Sequence, residues 1–232
     1  MRSYSVNWSE DNLKQVILMF TSDLNALLDQ QALQRQDPEC RYIIDRVNWE
    51  QYEALLARNG DTSAYRVTYL DGALEIMSPS RRHESRKTRI GDLLVIYFLE
   101  ADINYFPFGS TTLRREEKSG GTEPDEAYCI GTDKEFPDFA IEAIVTSGGI
   151  NKLEVYRRLN VKEVWFWQND RFSLYYLREE TPVQFVATCG YEPIARSAIL
   201  PNLYIELLAE YIRYPNSLTP AKEFRQRLRS GD

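Results

Sequence analysis

The run Asp138-Phe139-Ala140-Ile141-Glu142-Ala143-Ile144-Val145 constrains this 232-residue chain more than any other. It is apolar except for Asp138 at its start and Glu142 in its middle, and it reads as a strand over 138–146. Alternation puts Asp138, Ala140, Glu142 and Ile144 on one face, with Phe139, Ile141, Ala143 and Val145 on the other. A carboxylate in the middle of a core strand is costly unless it is paired or bound to a metal. Glu142 therefore demands a cationic partner.

The elements around this strand alternate in type. Ser147-Gly148-Gly149 leads into a helix over 150–159, with Leu153, Tyr156 and Leu159 on its apolar side. Strands follow at 161–167 and 172–177, a third near 183–187, and helices near 203–214 and 219–229. Upstream, Leu13, Val16, Ile17, Phe20, Leu24, Leu27 and Leu28 recur at helical spacing and predict a helix over 9–36. A second helix starts at Asn48, a cap with Gln51 three residues on. Asp71-Gly72 between two alternating runs predicts a hairpin, and a long helix is expected over about 81–101. Short strands are expected near 103–107, 110–115 and 126–130, with a Gly-rich loop, Ser119-Gly120-Gly121, leading into Glu123. The order of elements predicts a single α/β fold, a mixed sheet flanked by helices.

Composition closes several alternatives. No apolar run approaches the roughly 20 residues needed to span a bilayer, and the first residues lack the pattern of a signal peptide. Cys40, Cys129 and Cys189 are widely separated and odd in number, which suits a reducing, cytoplasmic setting and excludes a CxxC zinc site. A net charge of −7 argues against a general nucleic-acid coat. The run from Arg81 to Arg89 is nonetheless a local basic patch. His83 is the only histidine, so zinc proteases of the HExxH type are excluded. No GxSxG elbow or P-loop signature occurs either. His83 reads as a solvent-facing or phosphate-contacting side chain in the basic patch, with Arg86 beside it.

A second acid precedes the strand. Pro124 restricts the backbone just before Asp125 in Glu123-Pro124-Asp125-Glu126 and aims that carboxylate outward from a sheet end. Two hard oxygen ligands on neighbouring strands suit Mg²⁺, or Mn²⁺, which binds through one or two carboxylates plus waters and phosphate oxygens. Lys152, early on the following helix, can reach back over the strand toward the same place. The alternatives are a structural pair for Glu142 and a solvated helix position for Lys152.

These residues resemble a family. Gly72-Ala73-Leu74-Glu75, Met77-Ser78-Pro79-Ser80, His83-Glu84, Glu123-Pro124-Asp125-Glu126, Pro137-Asp138-Phe139-Ala140-Ile141-Glu142 and Val161-Lys162-Glu163-Val164-Trp165 resemble, in order, the bacterial Uma-type restriction endonucleases. These belong to the PD-(D/E)XK nuclease superfamily. The resemblance covers about residues 42 to 210 and implies a restriction-endonuclease-like mixed sheet over 41–232, behind an N-terminal helical extension over 1–40. It implies Mg²⁺-dependent hydrolysis of phosphodiester bonds in DNA, with Asp125 and Glu142 as metal ligands and Lys152 as the catalytic lysine. In the superfamily that lysine stands two residues after the strand acid, where this chain has Ile144, so Lys152 would act from the adjacent helix. Glu84, Glu75 and Asp138 are possible accessory acids, and a homodimer would cut two strands. The alternative is an inactive nuclease fold that serves as a nucleic-acid- or protein-binding module.

Overall fold

The computed structural model describes residues 39–59, 65–145, 149–214 and 218–230. The helix expected over 9–36 lies outside them. In chain order the elements are β1 (Cys40–Ile44), α1 (Trp49–Asn59), β2 (Arg66–Leu70), β3 (Ala73–Ser78), α2 (Arg81–Glu100), β4 (Tyr105–Pro107), β5 (Leu113–Arg115), β6 (Gly120–Thr122), β7 (Glu126–Ile130) and β8 (Phe139–Ala143). Then come α3 (Lys152–Arg158), β9 (Glu163–Gln168), β10 (Arg171–Leu177), β11 (Tyr191–Ile194), α4 (Ile205–Ile212) and α5 (Leu218–Ser230).

Local chemistry explains the boundaries. Asn48 and Gln51 exchange side-chain-to-backbone bonds of 2.8 and 2.9 Å ahead of α1, a capping box. Asp71 and Gly72 both have positive φ, 47° and 85°, as the two-residue turn between β2 and β3 requires. Ser80 caps α2 by accepting from the His83 N–H at 3.0 Å.

Two sheets result. One is antiparallel with strand order β1-β3-β2-β6-β5, and the other runs β11-β10-β9-β8-β7-β4, with β8 and β9 parallel across α3. This mixed α/β architecture with flanking helices is the restriction-endonuclease-like fold that was expected.

The alternation in β8 sorts its residues between two cores. Phe139 and Ile141 pack with Ile90, Leu94 and Phe98 of α2, and Ala140 packs on the other face with Leu153 and Tyr156 of α3. Glu142 shares the α3 side. A third cluster, built on Tyr52, Val67, Tyr69, Leu74 and Ile76, joins α1 to the outer face of the first sheet. The inner face of that sheet, carrying Arg66, Thr68, Glu75 and Met77, turns toward the second sheet and leaves a cavity between them.

Three expectations need correction. The strand expected near 183–187 is a 3₁₀ segment, Pro182–Thr188, and the third strand is β11, paired with β10. Pro182 starts the turn there, and Val183 and Val186 stay exposed, so their apolar spacing marks no buried face. The Gly-rich stretch before Glu123 is not a loop but β6, paired with β2 and β5. β1, for which no strand was expected, adds an edge beside β3.

Candidate active site

The cavity between the sheets has a volume of about 360 Å³, and Asp125, Glu142 and Lys152 all line it. Each arrives by a different route. Asp125 stands just ahead of β7, Glu142 stands one residue before the end of β8, and Lys152 opens α3 behind the Asn151 cap. The C-terminal ends of the parallel pair β8 and β9 thus border the site, the position at which open α/β sheets place ligands.

Lys152 Nζ lies 3.0 Å from Glu142 Oε1 and donates to Thr122 Oγ1 at 2.7 Å. Thr122 in turn contacts Thr68 Oγ1 at 2.9 Å. The amine therefore ties β8 of one sheet to β2 and β6 of the other. Tyr156 OH, four residues on from Lys152 and on the same helix face, donates to the same Glu142 oxygen. Asp125 is held at both oxygens. His83 Nε2 lies 2.8 Å from Oδ1, and the Ala143 N–H donates to Oδ2 at 2.7 Å. Arg66 Nε stands 3.9 Å from Oδ1 and reaches Glu84 Oε1 with its Nη2 at 3.2 Å.

The electrostatics separate the two acids. Burial pushes Glu142 up, Lys152 opposes it without cancelling it, and the neighbouring Asp125 charge adds to the rise. Burial also works on Asp125, but the His83 hydrogen bond and charge, with the Ala143 N–H, outweigh it and hold that carboxyl below its ordinary value. Burial opposes a charge on His83, yet the Asp125 hydrogen bond and the nearby charges of Asp125 and Glu39 raise it to about 10. Glu123, on the same wall, is pushed up by burial.

The other expected residues divide. Glu75 lines the cavity, bound to Arg41 Nη1 at 2.9 Å and to the Ile150 N–H at 2.8 Å. Ile144, in the superfamily's lysine slot, also lines it, its N–H bonded to the Trp167 carbonyl. Asp138 does not join them. It accepts from the Ile130 N–H at 2.8 Å and pairs with Lys134, because it stands just ahead of β8, at the opposite end of the strand from Glu142. Glu84 is half exposed, paired with Arg66 outside the cavity.

His83 is not solvent-facing. It is 2% exposed and lies between two carboxylates. Arg86 is engaged structurally, donating to the Ile212 carbonyl at the end of α4 at 2.8 Å beside Arg89, with Asp170 at 3.4 Å. Glu39, Arg41, Arg66, Thr122 and Tyr156 had not been singled out. Only Tyr156 carried a usable signal, its i+4 spacing from Lys152.

Among the described residues, no group of three or more His, Cys, Asp or Glu side chains is set to hold a metal ion. Two carboxylates do suit Mg²⁺, which completes its shell with water and phosphate oxygens. Asp125 and Glu142 face one cavity and repel each other there, which a shared cation would relieve. The donor set fits such an ion.

α3 itself depends on an ion-pair cluster. Arg157 Nε and Arg158 Nε each bond Glu154 at 2.8 Å, and the Arg157 bond, reinforced by Arg158, holds Glu154 at about 2. The folded value lies below the unfolded one of 4.5, so ionised Glu154 stabilises fully above that pH, and the contribution is lost as pH falls toward 2. Melting curves across this window should show a shallower acid loss for Glu154→Gln than for the wild type.

The fold defines a class, proteins of restriction-endonuclease-like architecture. The model of the Uma2 family, described as putative restriction endonuclease, matches residues 49–208. The chain belongs to this family. Families of this architecture generally use divalent metals. No curated protein matches the chain. Among the described residues, no helix is long and apolar enough to cross a membrane.

Proposed function

We propose that the protein is a metal-dependent endonuclease that hydrolyses phosphodiester bonds in DNA, with Asp125, Glu142 and Lys152 as its catalytic unit. One observation carries the reading. Two buried acids and one amine from separate parts of the chain border a single cavity at the ends of parallel strands. Asp125 and Glu142 would hold Mg²⁺ or Mn²⁺. When bound, such an ion neutralises charge on a phosphoryl group and acidifies a water to serve as the nucleophile.

The chain's own residues supply the rest. Lys152, fixed by Thr122 and Glu142, presents its ammonium to charge developing on the phosphoryl oxygens. Arg66 and Arg41 line the same wall and offer guanidinium donors to the flanking phosphates. Tyr156 locks the Glu142 rotamer through its buried hydroxyl. No side chain is required to become a covalent nucleophile.

The test is a plasmid-nicking assay with Mg²⁺, using Asp125→Ala and Glu142→Ala as controls. The wild type should convert supercoiled plasmid to open circle, and both variants should lose at least about a thousandfold in rate. Equal rates in all three would retire the catalytic assignment and leave a nuclease-fold binding module.

A further inference from the structure

Asp125 is the end of a longer buried chain of charges. His83 meets Asp125 Oδ1 through Nε2 at 2.8 Å, and its other ring nitrogen faces Glu39 Oε2 at 3.4 Å. Glu39 Oε1 lies 3.6 Å from Arg41, whose guanidinium holds Glu75 at 2.9 Å. Glu75 closes the chain on the Ile150 N–H. Glu39, His83, Glu75 and Asp125 are 8%, 2%, 2% and 2% exposed, while the Arg41 link between the two glutamates is half-buried.

We propose that His83, backed by Glu39, is a positioning residue that fixes the Asp125 carboxylate for cation binding. This rests on the reading above and extends it to residues beyond the three catalytic ones.

The geometry gives the reason. A carboxylate has about four acceptor directions. In Asp125 one direction at each oxygen is taken, by the Ala143 amide and by His83, and the remaining ones are left for the cavity. Neither partner can move freely. The amide belongs to β8, and His83 sits in the first turn of α2, its own N–H held by the Ser80 cap. Glu39, 3.4 Å from Nδ1, faces the imidazole from the other side as an ion pair and favours the orientation that meets Asp125. Burying such a chain stabilises less than apolar packing of the same volume would. Its value lies in orienting the one acid that it ends on. Glu39 also lies ahead of the residues that the family model matches, 49–208, so the segment leading into β1 adds to the site.

Partners behind a metal ligand typically govern metal affinity about 10–100-fold. The test is calorimetric titration of Mn²⁺, without DNA, into the full chain as wild type, Asp125→Ala, His83→Ala, His83→Gln and Glu39→Ala, with melting curves for each apoprotein. His83→Ala should bind Mn²⁺ about 10–100-fold more weakly, and Glu39→Ala about 3–10-fold more weakly. His83→Gln, which keeps an N–H to offer Asp125, should stay within about threefold of wild type. A folded His83→Ala that binds as tightly as the wild type, while Asp125→Ala does not bind, would overturn the positioning role and leave the metal site standing. Where His83→Ala does not fold, Glu39→Ala at wild-type affinity overturns it equally. If Asp125→Ala itself binds Mn²⁺ like the wild type, the metal site fails, and the positioning role with it.

Discussion

Lys152→Met should slow DNA cleavage about 10²–10³-fold, the loss expected when one group that stabilises a developing oxyanion is removed. The substitution keeps the length of the side chain and removes its charge and its donors. Two contacts vanish together, 3.0 Å to Glu142 and 2.7 Å to Thr122. Glu142 is then left with Tyr156 alone, and its carboxyl, already raised by burial, loses the opposing charge and moves further up. Lys152→Arg should not restore the rate, because a planar fork does not reproduce a compact ammonium seated between a threonine and a glutamate. Single-turnover rates on a short duplex, alongside melting temperatures, check this. A variant that melts like the wild type and cleaves at the wild-type rate would remove Lys152 from the catalytic unit.

The second large effect falls on stability. Gly121→Ala should destabilise the protein by about 2–3 kcal/mol, in the range for overpacking a filled core. A Cβ there would sit 2.4 Å from the Tyr52 hydroxyl and 3.0 Å from its ring. Tyr52 cannot step aside. It is fully buried, stacked on Tyr69 at 4.9 Å between ring centres, and met edge-on by Trp49 at 5.1 Å. Its hydroxyl finds no hydrogen-bond partner among the described residues. Tyr52→Phe should therefore be neutral or stabilising by about 1 kcal/mol, since it removes a buried, unsatisfied polar group. The pair should be less destabilised than Gly121→Ala alone, a coupling expected of residues in contact. Urea unfolding of the two single variants and the double variant measures all three, and strict additivity would show that the clash is not with the hydroxyl.

Gly121 also shows why part of the fold was illegible. Two glycines before a proline read as a loop. They are a strand paired with β2 and β5, and Gly121 stays bare because Tyr52, 69 positions upstream, lies against its backbone, which nothing local announces. The same holds for Pro182–Thr188, where spaced valines imitate a strand that the pairing of β10 with Tyr191–Ile194 makes unnecessary. The hairpin turn at Asp71-Gly72 and the caps at Asn48 and Ser80 were readable or nearly so, because each is settled within four residues.

The candidate site follows the same division. Glu142 could be singled out because a charge in an apolar strand is anomalous on local grounds, and Lys152 because its helix opens directly after that strand. His83 could not be placed. Its chemistry depends on Asp125, 42 positions away, and on Glu39 just ahead of the edge strand β1. A basic run suggests an exposed face, and only the folded α2 shows that His83 turns inward while Arg86 and Arg89 bind the end of α4.

The proposed function requires Asp125 and Glu142 to share one divalent cation in the cavity between the sheets. Anomalous diffraction from crystals soaked in Mn²⁺ tests it most directly. A single strong peak is expected within about 2–2.5 Å of a carboxylate oxygen from each acid, with Lys152 beside it but not bound to it. A cavity free of Mn²⁺ at millimolar concentration, or a peak that neither carboxylate touches, would contradict it.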